Sequence, residues 1–208
     1  MSYTPTADEV KKLREETQAG MLDCKKAIQD ANGDFEKAKD ILRKKGLASV
    51  SKRSDRVASN GSIASYVHHG GRIGVLIEVR CETDFVARTD EFQKMGKTLA
   101  MQVAVSRPRY VKREDAPVEI VEREKKIYAE QASESGKPQQ VVEKMVQGKL
   151  EKYFAEICLL DQEFMIGEAV KSTAKTVNDY VIETAAKLGE KVDVIRFVRM
   201  ELGESTGN

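Results

Sequence analysis

Ser62-Ile63-Ala64-Ser65-Tyr66-Val67-His68-His69-Gly70-Gly71-Arg72-Ile73-Gly74-Val75-Leu76-Ile77-Glu78-Val79 decides the fold. Ile63, Ser65 and Val67 alternate with neighbours on the other face. Gly70-Gly71 supplies a hairpin turn, and Ile73, Val75, Ile77 and Val79 form the return strand. Before this stretch the apolar period is 3.6 residues, the helical value, and it returns to that value afterwards. Two strands alone are marginal in water, so Val192 to Met200, rich in β-branched and aromatic residues, is expected to join them as a third. The reading is α+β: a small antiparallel three-stranded sheet packed with helices.

Upstream, three short helices are expected. Val10, Leu13 and Thr17 fall at helical spacing, with Gly20 as a stop. Cys24, Ala27, Ile28 and Ala31 make the next stripe, closed by Asn32-Gly33. Asp34 is a good N-cap for a third helix carrying Phe35, Ala38, Ile41 and Leu42, which Gly46 ends. These helices make an N-terminal domain over 1–53. The polar, mostly basic stretch from Leu47 to Asn60 reads as a linker, with partial helical character left open. Downstream of the hairpin, Thr89 can cap a helix whose apolar line is Phe92, Met95, Leu99 and Val103, ended by Arg107-Pro108. Residues 114–155 are helical in pattern, broken at Gly136-Lys137-Pro138, and another helix spans about 168–187. The core domain thus covers 54–202, and 203–208 is a flexible tail.

Composition narrows the chemistry. The 208 residues are 40% hydrophobic and 33% charged with four prolines, an ordinary soluble composition. Thirty-five basic and 34 acidic residues leave a net charge of +1. Direct nucleic-acid binding depends on a positive surplus to displace counterions, so so even a balance argues against it. Cys24, Cys81 and Cys158 are odd in number and far apart, as in a reducing compartment. No apolar leader and no run of about 20 apolar residues is present, so the expected location is the cytoplasm, with no membrane partner. Gly96-Lys97-Thr98 looks like the end of a phosphate loop, but Glu91 stands where its first glycine belongs, and the triplet sits inside an amphipathic helix. His68 and His69 are adjacent on a strand and point to opposite faces, which suits no shared metal. No catalytic residue set, metal site or cofactor site is evident. The scarcity favours a protein that works by contact and is no enzyme.

Two segments carry a resemblance. Leu13-Arg14-Glu15-Glu16-Thr17-Gln18-Ala19-Gly20-Met21-Leu22-Asp23-Cys24-Lys25-Lys26-Ala27 and Cys81-Glu82-Thr83-Asp84-Phe85-Val86-Ala87-Arg88 resemble the two signatures of the elongation factor Ts family, in order and at about the family's separation. Gly136-Lys137-Pro138-Gln139-Gln140, Leu159-Leu160-Asp161-Gln162-Glu163-Phe164 and Arg196-Phe197-Val198-Arg199 extend it over nearly the whole chain. Leu22 departs from the paired methionines common in the family, and Glu163 from a common proline.

The resemblance implies a ubiquitin-associated-like three-helix domain, a linker and an α+β core. It also implies a guanine nucleotide exchange factor that binds elongation factor Tu in its GDP state. Periodicity leaves Met21 and Leu22 open between a cap on the bundle and an exposed knob, and Phe85 open between core and surface. The resemblance assigns docking to Val10, Leu13, Met21 and Leu22. It assigns to Thr83, Asp84, Phe85 and Val86 a wedge near the partner's magnesium. It further implies a homodimer, with the helical segment about 107–165 as the candidate contact. The competing nucleic-acid adaptor rests on Arg43, Lys44, Lys45, Lys52, Arg53 and Arg56, for which a solvated linker is the simpler account.

Overall fold

The computed structural model, which describes residues 3–17, 19–134, 136–170, 172 and 174–204 and for Leu47 the backbone alone, folds the decisive stretch into the expected hairpin. Strand β1 (Asn60–Val67) pairs antiparallel with β2 (Ile73–Cys81), and β2 pairs antiparallel with β3 (Val192–Glu201), in the order β1-β2-β3. Gly70 and Gly71 both lie at positive φ, 89° and 68°, where side chains other than glycine are strained. The register sets Ala64 opposite Ile77 and Ile77 opposite Phe197. Val75, Ile77, Val79 and Cys81 are buried on the inner face, with Ala64 beside them. Ile63 and Val67 therefore face outward, together with Leu76, Val198 and Met200.

The inner face is covered by α5 (Asp90–Ser106), capped by Thr89, whose hydroxyl accepts the Phe92 amide. Phe92, Met95, Leu99 and Val103 are all fully buried, each contributing about 1.5–3 kcal/mol. Gly96 lies where α5 crosses β1, and a Cβ there would stand 2.9 Å from that of Ala64. Helix-to-strand packing is the reason for the Gly96-Lys97-Thr98 triplet, whose amides lie in mid-helix. Next comes a helical hairpin, α6 (Val118–Ser133) and α7 (Gln139–Ile157), broken at the expected glycine and proline. It buries Ala132, Val142, Val146 and Leu150 against one another. Arg113 fastens it to the core through Glu151 at 2.7 and 3.1 Å and Asp161 at 2.6 and 2.9 Å.

The helix expected over 168–187 is two pieces, α8 (Gly167–Val170) and α9 (Val177–Leu188); residues 171 and 173 lie outside the described residues. Thr176 and Asp179 form a capping box that starts α9 afresh, a signal the apolar period does not carry. Phe164 stacks on Tyr180 of α9 at 4.4 Å. Of the expected tail, Glu204 pairs with Arg199 at 2.9 Å, and 205–208 lie outside the described residues.

The N-terminal helices are α1 (Ala7–Thr17), α2 (Met21–Asp30) and α3 (Phe35–Ser51), closed around Val10, Leu13, Cys24, Ala27, Ile28 and Ala38. Asp34 caps α3 as expected, accepting the Lys37 amide. Two glycine readings are corrected. Gly20 is the N-cap of α2, and Gly46 passes through mid-helix because α3 packs on α9 there, 3.7 Å separating a Cβ at Gly46 from that of Ala186. Packing overrides the glycine propensity cost of about 1 kcal/mol. The stretch 47–60 is helical to Ser51 and then runs, largely exposed, into β1, but several of the basic residues in and before it are paired with the core. Arg43 pairs with Asp179 at 2.7 Å, Arg53 donates to the Ala185 carbonyl at 3.4 Å, and Arg56 reaches Glu82 at 3.3 Å.

These contacts set the acid limit of the fold. Amide and guanidinium donors hold Glu78, Glu82 and Glu151 below the ordinary 4.5, and Arg43 with the Thr176 amide outweighs burial to hold Asp179 below 3.8. Depressed carboxyl groups stabilise the fold above their unfolded values and lose that contribution as pH falls through the folded ones. The melting temperature should therefore be flat from pH 7 to about 5 and fall progressively below about 4.5. Calorimetric scans at stepped pH check this; a melting temperature that rises on acidification contradicts it.

Candidate functional site

Strand β2 ends at Cys81 and runs directly into a single helical turn, α4 (Asp84–Ala87). Thr83 caps it: its hydroxyl accepts the Val86 amide at 3.3 Å, and its carbonyl accepts the Ala87 amide at 3.2 Å. The turn divides its side chains by face. Ala87 is buried and Val86 packs against the main core, whereas Phe85 is 82% exposed. A phenylalanine in water leaves about 1.5–3 kcal/mol of burial free energy unrealised until another surface covers it. Asp84 lies beside it, paired with exposed Arg88 at 3.0 Å. The open question about Phe85 is thus decided against the core.

Backbone anchors hold the turn from a distant part of the chain. The Glu190 carboxylate accepts three hydrogen bonds, from the amides of Glu82 and Thr83 at 3.0 Å each and from the Thr83 hydroxyl at 2.6 Å. In return the Glu82 carboxylate accepts the Lys191 amide at 2.6 Å. Sequence reasoning missed Glu190. It directly follows Gly189, the left-handed cap of α9, and no spacing rule links it to a loop 107 residues earlier. Cys81 is fully buried and donates to the Thr83 carbonyl at 3.2 Å, and burial pushes its thiol up to about 11.

The second exposed apolar feature lies on the bundle. Met21 and Leu22 open α2 and are 53% and 82% exposed, with Gly20 before them offering no side-chain cap. They do not cap the bundle's interior. Val10 and Leu13 are 5% and 0% exposed. Their side chains are taken by the bundle's own core, whereas Met21 and Leu22 stand outside it. The outer sheet face, with Val67, Leu76, Val198 and Met200 exposed, is a further apolar area that alternation alone did not separate from the inner one.

Among the described residues no group of three or more His, Cys, Asp or Glu is placed to hold a metal. Among them, no helix is long and apolar enough to cross a membrane. Two exposed apolar projections on rigid mounts are a geometry for protein contact.

Comparison with known proteins agrees in extent as well as kind. The family described as Elongation factor TS matches residues 11–204. The chain is similar to proteins named Elongation factor Ts in several bacteria. That of Carboxydothermus hydrogenoformans is 54% identical over 199 residues, 96% of this chain and 89% of the relative. That of Fervidobacterium nodosum is 53% identical, covering 96% and 98%, and that of Moorella thermoacetica 57% identical, covering 95% of each. Both projections fall inside the matched span, and at this identity and coverage the chain belongs to the elongation factor Ts family.

Proposed function

We propose that this chain is a guanine nucleotide exchange factor for elongation factor Tu in translation elongation, and that it promotes GDP release by pressing Asp84 and Phe85 against the partner's magnesium and phosphate site. The observation that carries the mechanism is Phe85, almost fully in water on a turn anchored at both ends. Magnesium demands near-ideal octahedral geometry, so a small displacement of its surroundings is costly. Backbone amides of a phosphate loop complete the grip on the diphosphate. An aromatic ring and a carboxylate driven beside that site disturb both. Thr83 and Val86 serve as cap and footing of the wedge, since one fixes the turn and the other packs into the core.

The thermodynamics is negative coupling between two ligands of one protein. If the factor weakens GDP by some ratio, GDP weakens the factor by the same ratio, and ~3 kcal/mol of coupling is ~150-fold. Stopped-flow release of fluorescent GDP from elongation factor Tu, with and without this chain, tests the function directly. Equal rates would end the proposal. No proton or phosphoryl group moves on this chain in such a cycle.

Docking affinity is assigned to the three-helix domain, residues 1–53, and the wedge to the core, residues 54–202. Met21 and Leu22 are the contacting pair, and Val10 and Leu13 hold α1 against α2 in the bundle core. Met21→Ala and Leu22→Ala should each cost ~1–3 kcal/mol of complex affinity, as hot spots do. Neither should lower the melting temperature, because both side chains are already exposed. Titration calorimetry against nucleotide-free elongation factor Tu reads this, and unchanged affinity in both variants removes the knob. The homodimer implied by the family has its own test in sedimentation equilibrium. Within 107–165 the α6–α7 hairpin buries its apolar stripe within itself, leaving Val118, Ile120 and Val141 exposed on it and Met165 exposed after it.

A further inference from the structure

We infer that Glu190 is the positioning residue of the wedge turn, holding Asp84 and Phe85 in the pose that disturbs the partner's nucleotide site. The inference rests on the wedge reading above. A helical turn of four residues cannot hold itself, since the first turn of a helix fixes several dihedrals for one hydrogen bond. With 82% of its surface in water, Phe85 has little packing to orient it. Its direction is set by the backbone on either side. On the C-terminal side Ala87 is buried, and the Gln93 side-chain amide donates to its carbonyl at 2.7 Å. On the N-terminal side the fixing group is Glu190.

The chemistry of that anchor is specific. The amides of Glu82 and Thr83 precede the helix and have no carbonyl within it to bond. One carboxylate takes both, together with the Thr83 hydroxyl that also caps the turn. Bonds to a charged acceptor are roughly twice as strong as neutral ones. The carboxylate stands at the junction of α9 and β3, between the Gly189 cap and Lys191, whose amide is held by Glu82 in exchange. The loop after β2 and the loop between α9 and β3 thus hold each other's backbone through Glu190 and Glu82, and Arg56 neutralises the Glu82 side at 3.3 Å. A turn fixed before contact loses less freedom on binding, and a misplacement of about 1 Å in a working group costs up to ~100-fold in rate.

The test compares Glu190→Ala, Glu190→Gln and Phe85→Ala in GDP release from elongation factor Tu, each titrated to saturation. Glu190→Ala should lower the maximal release rate about tenfold or more while leaving the half-saturating concentration within about twofold, since docking surfaces elsewhere are intact. Glu190→Gln keeps the length and one acceptor oxygen but turns an NH2 toward the donors, so its rate should fall between. In a chain already carrying Asp84→Ala and Phe85→Ala, removing Glu190 should cause no further loss, because it acts through them. A further loss of the same size there overturns the assignment. So does a wild-type maximal rate from either folded Glu190 variant, or a loss confined to half-saturation. If Glu190→Ala melts below the assay temperature, the Gln variant decides. A Phe85→Ala chain with normal release identifies the wedge reading itself as the failure; slow Phe85→Ala with fast Glu190 variants sinks the positioning role alone.

Discussion

Phe85→Ala keeps the melting temperature of the parent chain and, at saturating factor, releases GDP from elongation factor Tu about 30-fold more slowly. The first half follows from exposure: with 82% of the residue in water, truncation opens no cavity. The second half follows from treating the ring as a hot spot. A loss of ~2 kcal/mol from the transition state of GDP release, relative to the GDP-bound complex, is about 30-fold in rate. Affinity for the nucleotide-free GTPase should fall less, because Met21 and Leu22 remain. Asp84→Asn should act in the same direction and more weakly, since the amide keeps the size and loses the charge. Chelating magnesium gives the internal control. It should speed release without any factor and shrink the advantage of Phe85 over alanine. An advantage undiminished by chelation would put the action of the turn on the phosphate loop or the base pocket instead.

What the sequence made legible divides along physical lines. Alternation and the Gly70-Gly71 pair located the hairpin, because a period of two and a positive-φ turn are local properties of the chain. The apolar line Phe92, Met95, Leu99 and Val103 located α5 for the same reason. The stop at Gly46 failed because the decision was not local. Packing of α3 against α9 carries the helix on to Ser51, and the arginines expected to be solvated find partners on the core. Residue type marked the site only as far as resemblance reached. It flagged Thr83 to Val86, but could not say that Phe85 faces water and Val86 the core, which depends on how one helical turn sits on Cys81 and Ala87. Val10 and Leu13 show the same limit, since an amphipathic stripe does not reveal whether its face meets a partner or its own bundle. Glu190 was invisible because a backbone-to-carboxylate anchor across 107 residues leaves no spacing to read.

The same contrast yields the last expected result, seven residues along the chain. Phe92→Ala should cost ~3–5 kcal/mol of folding stability, the penalty for emptying a fully buried aromatic site. For a chain of this size that is a fall of roughly 6–20 °C in melting temperature, at about 2–4 °C per kcal/mol. Phe92 is fully buried between the sheet and its neighbours on α5, and its amide is the one the Thr89 cap receives. Its ring therefore fills volume within the close-packed main core. Exchange activity, measured well below the lowered melting temperature, should be largely retained, because Asp84, Phe85 and the Glu190 anchor are untouched. The two phenylalanines thus form a matched pair: one truncation removes activity and leaves stability, the other removes stability and leaves activity in whatever fraction stays folded. Side-by-side melts and GDP-release traces at low temperature read both. If Phe85→Ala were the variant to melt early and Phe92→Ala the one to stall release, the inward and outward faces of the α4–α5 junction would have to be exchanged, and the wedge would lose its physical basis.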